Sequence, residues 1–426
     1  MVTDDAQRLA AHCGAPPARG KGEWLRAGLI AAVYDGRLGP GDTLPGARDL
    51  AAALGVSRGT ADGVYTQLVD EGFLQRLPRR RPTVAGPSAT GPRIPASPVS
   101  AAPPPTPGVP DAALFPHRAW AASSRAALAK LSDDDLGYPD PSGHPRLRTV
   151  LADWLRRTRG VTTTPDGIHV TCGIAHAMAL LAEVLGTPTW AVESPGSPGS
   201  THMMRQLVDV RQVPIDDAGM VPNQIPAAAG AVLLTPTHQY PTGILMPPER
   251  RRALVESSAA AGRWVIEDDW DSLLAPAGIP SAMQALSPST VIMLGSLSKA
   301  LAPGLRLGWI VAPPEVVTRL GELRRRTDLG VSAITQLTAA ELVASGGLDR
   351  HLRRARAEYA RRHQRLADRT RHHGPVLGVP GGVHAFVSTT DQAALAAEMA
   401  VAGIPAEVVD DERYPGVVIS VAAFRA

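Results

Sequence analysis

The sequence predicts two domains: a small α+β unit, then a large α/β unit with a mostly parallel sheet and a smaller C-terminal α+β part. Three observations predict it. The stretch from Pro82 to Pro110 holds ten prolines and almost no charge, a composition that supports neither a helix nor a central strand. It reads as an extended linker. Before it, helical spacings and turn residues alternate over a short span. After it, apolar runs of strand length alternate with helical segments. The expected boundaries are 1–85 for the small domain, 86–110 for the linker and 111–426 for the large domain. The large domain divides into a main part at about 150–325 and a small part at about 326–426. A length of 426 residues agrees, at about 150 residues per domain.

In the small domain, Trp24 to Tyr34 places Leu25, Leu29, Ile30 and Val33 on one helical face. LGPGDTLP is a loop by its glycines and prolines. Ala47 to Leu54 is a short alanine-rich helix stopped near Gly55. Ser57 is placed to cap a third helix that runs to about Glu71, with Ala61, Val64, Leu68 and Val69 as its buried stripe. Phe73-Leu74 and Thr83-Val84 read as two short strands around the tip RLPRRRP. This is a winged helix-turn-helix layout, in which the third helix enters the major groove of DNA. Ser57, Arg58 and Thr60 fall in its first turn, Arg48 opens the second helix, and Arg79, Arg80 and Arg81 crowd the wing tip with Arg76 nearby. These are the candidate DNA-binding residues, with phosphate contact expected at the wing.

The stretch LPGARDLAAALGVSRGTADGVYTQLVDEGFLQ resembles the DNA-binding domain of GntR-type transcription regulators. Gly46 departs from the usual serine, Gly59, Asp62 and Gly63 depart within the recognition helix, and Arg79 to Arg81 replace a Gly-Ser-Gly wing tip. The resemblance implies double-stranded operator DNA as a partner.

Net charge excludes little: 43 Lys+Arg against 40 Asp+Glu leaves +3, too small to mark nucleic-acid binding by itself. Cys13 and Cys172 alone cannot build a disulfide scaffold. No apolar run is long enough to span a bilayer, and the first residues have no signal-peptide core, so no membrane partner and a cytoplasmic location are expected. Lysine occurs only at Lys21, Lys130 and Lys299, and arginine cannot replace it where an amine nucleophile is needed.

In the large domain, Trp190 to Ser194, Ala231 to Pro236, Arg263 to Trp270, Val291 to Ser296 and Leu307 to Ala312 read as strands. His176 to Leu185 and Pro248 to Ala261 are among the helices between them. Ligands of such sheets bind outside the carboxyl ends of strands. Asp268 and Asp269 fall at one such end, and Ser296, Ser298 and Lys299 at another, with Arg306 seven residues later. A lysine beside hydroxyls and an arginine suits an amine next to an anionic group. Pyridoxal 5'-phosphate offers an aldehyde for the first and a phosphate for the others. Asp268 is the candidate to face its ring nitrogen. No histidine pair shows metal-ligand spacing. The basic helix from Arg350 to Arg371 reads as a solvated face, with Glu358 and Asp368 offsetting some of its charge, and His372 and His373 follow it.

GSLSKALAPGLRLGW, EDDWDS, TPTHQYPTG and GYPDPSGHPRLRTVLADWLRRTRG resemble fold-type I pyridoxal-phosphate aminotransferases. Joined to the first domain, they resemble the MocR subgroup of GntR regulators. The resemblance implies Lys299 as the cofactor lysine, Asp268 at the ring nitrogen, and Arg306 with Ser296 and Ser298 at the phosphate. It also implies that Gly173, Ile174 and Ala175 cradle the phosphate at a helix N-terminus. His238, Gln239 and Tyr240 would lie near the ring edge. Three departures bear on function. Ser197 stands where a stacking aromatic is usual and Trp270 where a tyrosine is usual. Val417 stands where aminotransferases carry the arginine for the substrate carboxylate.

The expectation is a homodimeric transcription regulator that senses pyridoxal phosphate, or its adduct with an amine or amino acid, rather than turning substrate over. Two alternatives stay open: a regulator whose large domain is a cofactor-free dimerisation scaffold, and an aminotransferase with an appended DNA-binding module.

Overall fold

The computed structural model describes residues 15–77, 80–86 and 106–425. The chain divides into two compact units, Met1–Pro103 and Pro104–Ala426. Thr106 to Pro110, expected in the linker, therefore belong with the second unit. Cys13 and Arg79 lie outside the described residues.

The first unit holds helices Lys21–Tyr34, Ala47–Leu54 and Arg58–Asp70, then an antiparallel hairpin of β1 (Leu74–Gln75) and β2 (Thr83–Val84). Leu25, Leu29, Leu50, Leu54, Val64 and Leu68 meet in one core, which Leu74 and Val84 close from the hairpin. The third helix buries Ala61, Val64 and Leu68 as expected and Tyr65 as well, while Val69, one turn beyond Tyr65, is half-buried against the same core. The Tyr65 hydroxyl donates to the Pro45 carbonyl at 2.8 Å, tying that helix to the loop before the second one.

In the second unit eight strands form one sheet. They are β3 (Ile168–Thr171), β4 (Thr189–Ser194), β5 (Asp209–Asp216), β6 (Gly219–Met220), β7 (Ala231–Leu234), β8 (Trp264–Asp268), β9 (Val291–Ser296) and β10 (Gly308–Val311). Their order is β3-β10-β9-β8-β7-β4-β5-β6. The centre, from β5 through β4, β7 and β8 to β9, is parallel; β10 runs antiparallel to both neighbours. Strands β4, β7, β8 and β9 are covered on both faces, which is why they read as largely apolar runs. Ile266, Ile292, Leu294 and Ile310 pack with helices Ile174–Val184 and Pro314–Arg326. Met293, Trp309 and Val311 point the other way, onto Leu147, Leu151 and Leu155 of helix Pro145–Arg159. Gly295 sits across from Trp309, and a Cβ there would lie 2.5 Å from the indole, so the glycine in VIMLGS is required by that close approach.

The C-terminal part adds an antiparallel sheet, β11 (Val376–Leu377), β12 (His384–Ser388), β13 (Ala406–Val409) and β14 (Gly416–Ser420), in the order β11-β12-β14-β13. The basic helix spans Gly347–Thr370. Leu348, Leu352, Tyr359 and Leu366 are buried on its inner face, and Arg362 is buried between Asp111 at 2.9 Å and Glu358 at 2.8 Å. Its solvated face is thus only part of the account. Among the described residues no helix is long and apolar enough to cross a membrane.

Candidate cofactor site and nucleic-acid surface

The carboxyl ends of the parallel strands open into a cavity of about 720 Å³. Strand alternation sorts the carboxylates of EDDWDS. Glu267 points to one side, where it accepts from the Gln284 backbone N–H at 3.2 Å. Asp268 lines the cavity. Asp269 is clamped by Arg159, whose Nε and Nη2 donate to its two oxygens at 3.0 and 2.9 Å in a buried bidentate pair. Asp271 faces away, paired with His238 Nδ1 at 2.8 Å.

Asp268 Oδ1 is buried and has no hydrogen-bond partner. Burial first, then the carboxylates of Asp269 and Asp271, pushes its pKa up to about 8. Such a group calls for a hydrogen-bonding cation or an N–H facing it. Lys299 follows β9 and also lines the cavity. Burial lowers its pKa from the ordinary value, against the pull of Asp271 and Asp268, which favours the nucleophilic neutral amine. Its Nζ donates to the Gly108 carbonyl at 2.6 Å.

The opposite end of the cavity is built for an anion. Helix Ile174–Val184 starts at Gly173, whose φ of 105° favours glycine. A Cβ at Gly173 would sit 3.5 Å from the Arg306 guanidinium, so the arginine lies against the helix start. Ile174, Ala175, Ser296, Ser298 and Arg306 all line the cavity. Helix N-terminal N–H groups, hydroxyls and a guanidinium together form a phosphate-binding set. The donor set fits pyridoxal phosphate at three points: the amine, the orphaned carboxylate and the anion cradle.

Of the residues expected at the cofactor, Lys299, Asp268, Arg306, Ser296, Ser298, Tyr240, Ile174 and Ala175 line this one cavity, and Gly173 abuts Arg306. His238 and Gln239 do not line it, contrary to the sequence expectation. His238 lies behind Trp270, with ring centroids 6.0 Å apart and planes 10° off parallel. Gln239 is spent inside the turn, donating to the Pro195 carbonyl at 2.8 Å and accepting from the Thr242 hydroxyl at 2.7 Å. Trp270 Nε1 donates to the His238 carbonyl at 3.0 Å, so its N–H is already engaged, while its ring centroid lies 5.7 Å from Lys299 Nζ. Ser197 lines the cavity and caps the short helix after it, accepting from Ser200 N–H at 3.3 Å. Val417 points into the apolar core with Leu395 and Met399. Its neighbour Val418 takes the other face, with Tyr240, and is paired across the sheet with Glu407.

The sequence reading missed Thr106, Gly108 and Glu407, all on the cavity wall. The first two lay in a stretch read as linker. Glu407 carried no motif, and only the strand register brings it here. Glu193, also missed, is buried at the end of β4 and accepts from the Thr235 N–H at 2.9 Å and its hydroxyl at 2.6 Å; burial pushes its pKa up to about 7.

In the first unit Ser57 accepts from the Thr60 N–H at 3.0 Å and caps the third helix. Arg48 and Arg58 are exposed on the helices, Arg80 and Arg81 on the wing. None of the four has an ion-pair partner among the described residues. Arg76 differs: it pairs with Asp62 at 3.0 Å, so the carboxylate on the recognition helix is offset from within the unit.

Fold and site together define a DNA-binding unit joined to a pyridoxal-phosphate unit of aminotransferase type. Residues 23–84 match the family of bacterial regulatory proteins, gntR family, and residues 110–409 match aminotransferase class I and II. The chain is 37% identical over 347 residues to the HTH-type pyridoxine biosynthesis transcriptional regulator PdxR of Corynebacterium glutamicum, covering 79% of this chain and 76% of that one. It is 32% identical over 375 residues to the probable rhizopine catabolism regulatory protein MocR of Rhizobium meliloti, covering 81% and 76%. The fold is that of the multiple substrate aminotransferase from Thermococcus profundus, with a TM-score of 0.67 at 23% identity over 74% of this chain and 85% of that one. The chain belongs to the MocR-type family of GntR transcription regulators, which carry an aminotransferase-like pyridoxal-phosphate domain.

Proposed function

We propose that this regulator senses pyridoxal phosphate, alone or joined to an amine or amino acid, and that occupancy of the large unit alters binding of operator DNA. The observation that carries the reading is the hydrogen bond from Lys299 to Gly108. Gly108 belongs to the end of the segment that leads back through residues 87–105 to the DNA-binding unit. The lysine that binds the cofactor aldehyde cannot keep this bond unchanged. Cofactor arrival therefore competes with Gly108 for one amine and shifts the population of the segment attached to it.

Bound pyridoxal phosphate supplies an aldehyde and an electron-poor ring. Lys299 holds the aldehyde end, Asp268 shares a proton with the ring nitrogen, and Arg306, Ser296, Ser298 and the helix start at Gly173 bind the phosphate. Tyr240 borders the site. Sensing is favoured over turnover because Trp270 has its N–H committed to His238 and so holds none for a ring hydroxyl. In the first unit Ser57, Arg58 and Thr60 present the recognition helix, and Arg48, Arg79, Arg80 and Arg81 meet phosphates. A homodimer in the cytoplasm would match a two-fold operator.

The test is a visible absorption spectrum of the purified protein, with and without added pyridoxal phosphate, beside Lys299→Ala. The band of lysine-bound cofactor is expected in the parent and missing in the variant. No band at saturating cofactor would overturn the sensing reading in favour of a cofactor-free scaffold.

A further inference from the structure

We infer that the effector of this site is an amine carrying a second positive charge and no carboxylate, such as a short diamine, with Glu407 pairing with its distal ammonium. This rests on the sensing reading above and narrows it. Among the described residues lining the cavity, the charged side chains are Asp268, Lys299, Arg306 and Glu407. The first three are committed to the cofactor's ring nitrogen, aldehyde and phosphate. Glu407 is the remaining charge, and it is negative.

Its position follows from the strand register. Glu407 on β13 pairs directly with Val418 on β14, so both side chains share one face, the face that packs with Tyr240. Here the C-terminal strand offers valine at both 417 and 418, and the facing strand offers a carboxylate. The Tyr240 hydroxyl donates to Glu407 Oε2 at 3.1 Å, which fixes the carboxylate at the cavity edge and leaves its other oxygen free to accept from a ligand. Burial, with the Glu407 charge beside it, pushes the Tyr240 pKa up, so the phenol stays a donor. A second cavity of about 340 Å³ shares Tyr240 and Glu407 and continues past Asp410 and Asp411; Arg205 is the cation among its described lining residues. A ligand carboxylate at Glu407 would meet like charge, whereas an ammonium would find the remaining oxygen of Glu407.

The experiment uses the full-length protein loaded with pyridoxal phosphate, loading being verified by its visible band. Calorimetry then compares three ligands of one chain length: 1,4-diaminobutane, 1-aminobutane and 4-aminobutanoate. The diamine is expected to bind about tenfold more tightly than the monoamine, and the amino acid more weakly than either. Glu407→Gln keeps size and an acceptor for Tyr240, and it should erase the diamine's margin while leaving monoamine affinity within about twofold. Tighter binding of the amino acid in the parent, or a diamine margin unchanged in Glu407→Gln, would overturn the inference. A protein that takes up no cofactor would overturn the sensing reading itself, a different and separately visible result.

Discussion

Asp268→Asn tests the electrostatics of the site without reference to regulation. Burial, with the charges of Asp269 and Asp271 beside it, pushes the Asp268 carboxyl up to about 8 from an ordinary value of 3.8. Its folded-state pKa is raised, so between those values the folded chain holds a proton that the unfolded chain has released. Stability is then lost progressively as pH rises through this window and levels off above the folded pKa. Each pH unit in the window costs about 1.4 kcal/mol. The ceiling is about 2 kcal/mol at pH 5 and about 5–6 kcal/mol above pH 8, reduced in practice by local relaxation. Asparagine has no proton to hold, so the variant escapes this term entirely. Thermal unfolding without cofactor should show the variant more stable than the parent, by a margin that grows by several degrees from pH 5 to pH 8. Added pyridoxal phosphate should raise the melting temperature of both proteins, and by less in the variant, because the ring nitrogen has lost its carboxylate while Lys299 and the anion cradle remain. Melting curves that keep a constant separation across this pH range would refute the account of a buried, proton-holding Asp268.

Other outcomes follow from the same geometry. Arg306→Ala should weaken pyridoxal phosphate binding about 10- to 100-fold, the loss of charge-assisted hydrogen bonds to a phosphate, read by titrating the visible band. Arg58→Ala should weaken DNA binding across sequences or at one base position, and a slope of log affinity against log salt reduced by about one would mark it as a phosphate contact. Ser57→Ala should cost the first unit about 1 kcal/mol through loss of the helix cap at Thr60, measured by denaturant unfolding. Amide hydrogens of Thr106, Gly108 and Val109 should exchange faster once cofactor is added to the parent and stay unchanged in Lys299→Ala, since only the parent exchanges the Gly108 contact for the cofactor.

Much of this architecture is local in origin and so was legible in the sequence. The three helices of the first unit carry their own stripes, caps and stops, and Ser57 declares the start of the third. The inner parallel strands are apolar on both faces and bounded by turn residues, so VIMLGS and AVLL stand out by hydropathy alone. Lys299 was conspicuous because lysine is so scarce, and Asp268 because it ends a strand. What was hidden depends on pairing across distance. The bond between Lys299 and Gly108 joins residues 191 apart, inside a stretch whose prolines suggested only a linker. Glu407 reaches the site through the register of β13 on β14, which no periodicity in AEVVD announces. His238 sits two residues before the cavity residue Tyr240, but its ring pairs with Asp271 and stacks behind Trp270. Val417 and Val418 show the same limit, since a one-residue step along a strand exchanges one apolar cluster for another.

The central claim is that Lys299 links cofactor occupancy to DNA binding. The most direct measurement is the affinity of the full-length protein for an operator fragment, with and without pyridoxal phosphate at fixed salt, for the parent and Lys299→Ala. The account predicts that cofactor changes the parent's affinity and leaves the variant's affinity where it was. A parent that shows the visible band of bound cofactor, yet binds the fragment equally well with and without it, would contradict the account.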